Sequence, residues 1–530
     1  TMLIVGLPIS LLLSWAFDLT AEGITRTENG EVEGRLIVGS KPVLALVAGL
    51  FVATAVIFYV TWPRGDRSIA VLPFEDISPG GDQAYFGNGI ADELRLELQG
   101  LDGLRVAGRT SSIASAKEDG KTIGEFLNVD SIVEGSIRKE GSSVRITVQL
   151  TNAADGFTIW SESYNRELEN IFEVQEDIAT SVAGSLGVRL GVGEVNSFRG
   201  AGTQNVEAYE AYLQSQGQGL SRQDRIRLLE RAVELDPDYA AAWSLLGHRT
   251  LGTSWESRPE ETAEIIDRAY SLAVQGVQLN PESASSHRTL AMISGAKLDW
   301  IGAEEGFRRA LELLTDRSIV QTYGGVLLRN GRTTEALRQY EIAVSLEPMG
   351  GRPVTMAWHA SLAQGRFDEA REIASLQASR NRIENNLDIA INERDQEGVK
   401  AAMQAVPTTS VAATALYAPV LAEFDSPERI LSILRDIYLD ENLRWPRKFH
   451  DISMLAAYFG DPNFALEVKG QEVRNNTVRM ATLWYPVMSE VRQLPEFKRL
   501  VTELNLVEYW RAYGWADACR PLGENDFTCI

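Results

Sequence analysis

A small residue returns at an almost constant interval through the middle of the chain: Ala269, Ala303, Ala336 and Ala370 stand 34, 33 and 34 residues apart. Their surroundings repeat with them. Four residues on come Ala273, Phe307, Tyr340 and Ala374, and seven on come Gly276, Ala310, Ala343 and Gln377. Positions four and seven apart share one face of an α-helix, so each unit carries a stripe of small side chains with an aromatic ring among them. Small residues let a second helix approach, and the ring fills the hole beside them. Pro237, Pro281 and Pro348 close their units, because proline cannot continue a helix. A unit of this size cannot bury its apolar face alone, so several must stack.

The interval is that of tetratricopeptide repeats, and Trp243-Ser-Leu-Leu246-Gly247 supplies their W-x-x-L-G opening. Repeat packing is assigned to Trp243, Leu246, Gly247, Ala269, Ala303, Phe307, Ala310, Ala336, Tyr340 and Ala343, in a superhelix over residues 205–382. Residues 383–515 read as diverged helical repeats with a cap, and 516–530 as a tail holding Cys519 and Cys529. In such arrays the first helices line a groove for a protein or peptide partner. By register that groove takes Ser244, His248, Arg288, Met292 and Gln321, each of which could equally be solvated helix surface.

The other end of the chain is oily. Residues 42–62 (PVLALVAGLFVATAVIFYVTW) are uncharged, long enough at about 1.5 Å per residue to cross a hydrocarbon core of about 30 Å, and bracketed by Lys41 and Arg64. A transmembrane helix is expected there. Residues 1–17 read as a partial span and 18–41 as a connecting loop. Arg26, Arg35 and Lys41 in that loop outnumber Arg64 and Arg67 beyond the span, which places the residues after 64 outside the cytoplasm by a small margin. Ala45, Gly49 and Ala53 make a row of small residues through which two such helices could form a homodimer.

Between anchor and array, residues 67–190 alternate short β-type runs with amphipathic stretches in the order βαβαβββα, which implies a small α/β domain with a mixed sheet. Ile90, Leu94, Leu98 and Leu101 mark the first helix, Ile123, Phe126 and Leu127 the second, and Ile171, Val174, Ile178 and Val182 the last. Val144, Ile146, Val148 and Leu150 alternate with polar residues, as in a half-buried strand. Two glycine motifs point weakly to phosphate binding. Gly103-Leu-Arg-Val-Ala-Gly108-Arg109-Thr110 has a strand where a phosphate loop needs a flexible turn, and arginine in place of lysine; Gly87-Asn88-Gly89 reads as a helix cap. Residues 191–204 are a glycine-rich linker.

The segments SIAVLPFEDIS, DQAYFGNGIADEL, GLRVAGRTSS, VEGSIRKEG, VRITVQL, DGFTIWSESYNREL and IFEVQEDIA resemble, in order, the TolB amino-terminal-like (FlgO-like) domain. That resemblance implies a bacterial inner-membrane protein in which the domain sits between a transmembrane helix and a tetratricopeptide array, with residues beyond 64 in the periplasm. It also implies that an effector, an adenylate or guanylate cyclase or a CadC-like winged-helix regulator, can precede the anchor. Residues 2–24 resemble the last membrane helix and exit loop of the variant without an effector. In the periplasm Cys519 and Cys529 would pair, closing a loop worth about 2.5–3 kcal/mol in the chain-entropy model; in the cytosol both would stay thiols.

With 51 Lys+Arg against 73 Asp+Glu the chain carries −22, which repels phosphate backbones and argues against a nucleic-acid partner. His248, His287, His359 and His450 lie too far apart in sequence for a zinc motif. Neither G-x-S-x-G nor H-E-x-x-H occurs, so no catalytic, cofactor or metal residue is assigned. Two readings remain: a non-catalytic membrane-anchored scaffold that binds a protein partner, or the sensory portion of a signalling protein whose effector lies upstream of Thr1. An enzyme within the α/β segment is a poor third.

Overall fold

The computed structural model describes residues 17–20, 23–26, 67–101, 103–186, 202–254, 259–346, 351–376, 379–445, 447–475, 477–523 and 526–530. Two compact units divide at Gly65 and Asp66. Within the first, β1 (Phe17–Thr20) and β2 (Gly23–Arg26) pair as an antiparallel hairpin where the sequence suggests a loop. The apolar run 42–62 and all of the first run but Phe17 lie outside the described residues. No helix among the described residues is long and apolar enough to cross a membrane.

The second unit begins with the α/β domain. Its strands are β3 (Arg67–Val71), β4 (Glu75–Asp76), β5 (Leu104–Val106), β6 (Ser131–Glu140), β7 (Ser143–Asn152) and β8 (Thr158–Glu167), in the order β5-β3-β6-β7-β8 with β4 beside β6. β5, β3 and β6 run parallel; β6, β7 and β8 are antiparallel. Side chains alternate across β3. Ile69 and Val71 join one core with α1 (Ala84–Gln99) and α4 (Ile171–Ser185), while Ala70 and Leu72 join a second core with α3 (Gly120–Leu127). On β7, Val144, Ile146, Val148 and Leu150 are all buried, as their alternation requires.

Three local expectations change. Phe126 is 46% exposed, because α3 approaches the sheet through Gly124, where a Cβ would stand 2.5 Å from that of Ala153. Gly87 and Gly89 lie inside α1, after its N-cap Gln83, and are contact points: a Cβ on Gly87 would meet the Phe74 carbonyl at 2.8 Å, and one on Gly89 a Leu213 methyl at 2.4 Å. Gly108 caps an additional short helix, α2 (Arg109–Ser115), and Arg109 pairs with Asp92 at 2.6 Å. The helix escapes a periodicity search because it buries Ser111, Ser112 and Ser115.

Antiparallel helix pairs follow: α5 (Val206–Ser215) with α6 (Arg222–Leu235), α7 (Ala240–Thr253) with α8 (Pro259–Leu279), α9 (Ala284–Ala296) with α10 (Trp300–Leu313), α11 (Arg317–Arg329) with α12 (Thr333–Leu346), and α13 (Gly351–Ala363) with α14 (Phe367–Ser375). Pairing continues beyond the clear repeats in α15 (Ser379–Glu393) with α16 (Gln396–Ala405) and α19 (Lys448–Tyr458) with α20 (Pro462–Asn475); α17 (Ala418–Ala422) and α18 (Pro427–Leu439) lie between them. This is a mostly helical chain with a small mixed sheet and stacked pairs of the tetratricopeptide kind. Asp or Ser side chains cap many of the helices: Ser221, Ser283, Asp299, Asp316 and Asp395 each accept from a backbone N–H in the first turn.

Domain and array share a core. Tyr209 and Leu213 of α5 are buried in the α/β cluster with Phe86 and Phe172, and the Tyr209 hydroxyl donates to Glu93 Oε2 at 2.8 Å. Gln175 Nε2 donates to the same oxygen at 2.5 Å.

Candidate functional site

The repeat-packing residues do what their spacing suggests. Ala269, Ala303, Phe307, Ala310, Ala336, Tyr340 and Ala343 are fully buried, Leu246 is nearly so, and a Cβ on Gly247 would meet the Ala269 carbonyl at 3.0 Å. Trp243 is half-buried and donates from Nε1 to the Pro237 carbonyl at 2.8 Å, so it fastens the preceding turn.

The first helices α7, α9, α11 and α13 also pack side by side, forming the face on which a groove was expected. Ser244 is not on its surface. It is buried and donates to Ser286 Oγ at 2.7 Å, joining α7 to α9 where Gly276 leaves room for it. His248, Arg288 and Gln321 are half-buried on α7, α9 and α11, and Met292 is half-buried against two neighbouring cores.

Farther along, the protein covers this face with its own C-terminal segment, which sequence periodicity did not reveal. The 3-10 runs Thr477–Trp484 and Pro486–Met488 lie against α11, α13 and α15. The short helices α21 (Ser489–Arg492), α22 (Pro495–Glu503) and α23 (Leu506–Tyr513) then carry the chain along the inter-helix turns. Three indoles act as hooks: Trp300 Nε1 donates to Leu504 O at 2.6 Å, Trp510 Nε1 to Asn330 O at 2.8 Å, and Trp484 Nε1 to Arg329 O at 2.9 Å. Glu304, fully buried, accepts from Tyr323 at 2.7 Å and Tyr509 at 2.9 Å. Asp517 accepts from Thr333 Oγ1 and the Thr334 amide, both at 2.7 Å. The segment ends in the hairpin β9 (Cys519–Leu522) and β10 (Asp526–Cys529), where Cys519 and Cys529 face each other in register and form a disulfide.

A second arrangement missed by sequence reasoning unites residues far apart in the chain. Asp388 Oδ1 accepts from Arg447 Nη2 at 2.7 Å and contacts His450 Nε2 at 3.1 Å, and Asp451 contacts Arg447 Nε at 3.2 Å. Burial works to raise the Asp388 carboxyl, but Arg447 and His450 outweigh it and hold it well below the usual carboxylate range. His359, 2.5 Å from the Tyr485 hydroxyl, is pushed down to about 4 by burial. It is therefore neutral at pH 7. These groups are enclosed by α15, α19 and the 3-10 run, and the network ties the C-terminal segment to the array. No group of three or more His, Cys, Asp or Glu among the described residues could hold a metal ion.

No family model matches the chain. A curated relative, "Putative adenylate cyclase 3" of Rhizobium meliloti (strain 1021), is 32% identical over 232 residues. The match takes in 42% of this chain and 40% of that protein, so the chain spans well under half of its length. Among solved structures, PilF of Pseudomonas aeruginosa (19% identity, TM-score 0.30) matches over 40% of this chain and 95% of its own. YrrB, described as a TPR protein with an unusual peptide-binding site (17%, TM-score 0.23), matches over 42% and 96%.

Proposed function

We propose that this chain is a non-catalytic scaffold that binds a protein or peptide partner on the first helices of its array, held at a bacterial inner membrane by residues 42–62 with everything after residue 64 in the periplasm. One observation carries it. The C-terminal segment covers the first-helix face at α11, α13 and α15, whereas His248, Arg288, Met292 and Gln321 on α7, α9 and α11 keep part of their surface accessible. The membrane and the TolB amino-terminal-like identity of residues 67–190 rest on the apolar run and the motif order in the sequence, and pairing of two chains through Ala45, Gly49 and Ala53 belongs to the same proposal.

A photo-crosslinking residue at Met292 in cells tests the partner, with one at Leu439, 73% exposed on α18, as control. Discrete adducts at Met292 and none at Leu439 are expected; none at either position removes the scaffold. An alkaline phosphatase fused after Ile530 is active if that end is periplasmic and silent if it is cytosolic.

The second reading is the sensory portion of a signalling protein. The relative named as an adenylate cyclase favours it, since the match takes in 40% of that protein and leaves the rest for other parts. The coding sequence before Thr1 discriminates: a cyclase or winged-helix domain there supports the sensor, and a further membrane span with no effector supports the scaffold.

A further inference from the structure

The edge of the α/β sheet carries a contact that does not depend on what the array binds. β8 ends the strand order, and among the described residues it pairs with β7 alone. It is ten residues long, about 33 Å at about 3.3 Å per residue, whereas the opposite edge strand β5 has three. Strand edges are ordinarily blunted by proline, lysine, shortness or a bulge. β8 holds no proline, glycine or lysine, and the irregularity in its pairing falls at Leu150/Thr151, near its start. Every residue of β8 except Trp160 and Tyr164 is exposed; Phe157 just before it and Ile159 within it are 74% and 47% exposed.

The phase of the β7–β8 ladder decides which main-chain groups are spare. The Leu168 amide donates to the Ser142 carbonyl at 2.7 Å, so hydrogen-bonded pairs run on in steps of two through Val144–Arg166, Ile146–Tyr164 and Val148–Glu162. These even-numbered residues turn their N–H and C=O groups to β7, and Ser161, Ser163 and Asn165 turn theirs outward. The Ser163 hydroxyl is held by Thr147 Oγ1 at 3.1 Å, which keeps that side chain off the edge. In the single chain the outward Asn165 carbonyl accepts from Arg166 Nη1 at 3.0 Å.

We propose that β8 pairs antiparallel with β8 of a second copy about a two-fold axis at Tyr164, so that the two five-strand paths form one sheet of ten. In that register Ser163 stands opposite Asn165 of the other copy and exchanges main-chain hydrogen bonds with it. Glu162 stands opposite Arg166 on both sides of the axis, and opposite charges facing each other across antiparallel strands are stabilising. Arg166 then releases its own Asn165 carbonyl, which accepts an amide of the other strand instead. The charges select this register. A slip of two residues in either direction loses both ion pairs, and a slip of four sets Glu162 or Arg166 against its own copy. The order Glu162, Tyr164, Arg166 is complementary to itself when reversed, which favours a second copy over an unrelated strand. A two-fold pair also uses up both long edges and so stops at two chains.

The test mixes two full chains in neutral detergent, one carrying Ser163→Cys and the other Asn165→Cys with a larger tag, under mild oxidation. Cys519 and Cys529 are already paired, so the introduced thiols are the reactive ones. Opposed residues of a hydrogen-bonded pair stand about 5.5 Å apart between Cα atoms, within reach of a disulfide. A mixed adduct is expected, and none when Ser271→Cys, exposed on α8, replaces Asn165→Cys. Glu162→Arg in both chains, or Arg166→Glu in both, raises the chain concentration for half-maximal adduct by about tenfold. Glu162→Arg in one chain and Arg166→Glu in the other restores it, which misfolded chains would not do. Absence of the mixed adduct, indifference to either reversal, or failure of the mixture to restore it overturns the proposal. A dimeric mass by light scattering with no adduct would assign self-association to the row Ala45, Gly49 and Ala53 and remove the β8 pair. So would an adduct of the Ser163→Cys chain in cells with a different protein and none with a second copy, which would give the edge to a foreign strand.

Discussion

Replacing Trp510 by alanine asks whether the C-terminal segment is a structural part of the array. The indole is 1% exposed, and its ring meets those of Trp484, Trp515 and Phe527 at centroid separations of 5.9, 5.7 and 5.9 Å. Truncating a buried tryptophan costs about 3–5 kcal/mol through lost contact and the cavity left behind. Loss of the bond to the Asn330 carbonyl adds about 1–2 kcal/mol, because that oxygen stays buried without its donor. The sum, about 4–7 kcal/mol, is comparable with the whole stability of an ordinary domain. Local release should therefore precede global unfolding: residues 477–530 detach while the α/β domain, which shares no core with Trp510, stays folded. Hydrogen exchange resolved by peptide reads this directly. Protection should fall in 477–530 and in α11 and α13 beneath it, and remain in β3, β6 and β7. Wild-type protection in the C-terminal peptides, or an unfolding free energy in denaturant changed by less than about 0.5 kcal/mol, would refute the account of the segment as a docked part of the array.

Glu93 gives a pH test at the junction of domain and array. Burial pushes its carboxyl up to about 8 from about 4.5, despite the donated bonds of Tyr209 and Gln175. The folded state then holds the proton more tightly than the unfolded one. Its contribution is complete below pH 4.5 and is lost as pH rises towards 8, at most about 5 kcal/mol and nearer 2–3 once partial solvent access is allowed for. Glu93→Gln should flatten this decline in denaturant melts between pH 5 and 8; an unchanged slope counts against it. Gly89→Ala places a methyl against Leu213 and should destabilise the contact of α1 with α5 by about 1–3 kcal/mol, seen as faster exchange in both helices. Asp388→Asn removes one of the two buried carboxylates that hold Arg447, Asp451 remaining, and should cost about 1–3 kcal/mol in denaturant stability; an unchanged stability would count against a structural role for the network. Cys519→Ser should loosen the terminal hairpin by about 2.5–3 kcal/mol and make the exchange of 516–530 insensitive to reductant, whereas wild-type exchange should respond to it.

Much of the fold could be read in the chain because periodicity reports one-dimensional packing. Ala303, Phe307 and Ala310 meet the helix next in sequence, so the spacing of side chains on one helix already names the contact. The same holds for β7, where alternation names the buried face. Where a contact depends on a residue that looks unremarkable in its own element, the reading fails. Phe126 turns outward because Gly124 is the one that touches, and α2 is unseen because it buries serines.

The sequence by itself determined the stacked helix pairs, the mixed sheet of the α/β domain and the apolar run at 42–62. The tertiary structure alone decided which part of the array is covered and which stays open. Trp510 lies 180 residues from Asn330, and Tyr209 lies 116 from Glu93. Contacts over such separations leave no repeat in the chain. They come from several helices closing on one another, and any single helix carries just a tryptophan or a tyrosine that would look the same on a solvated surface.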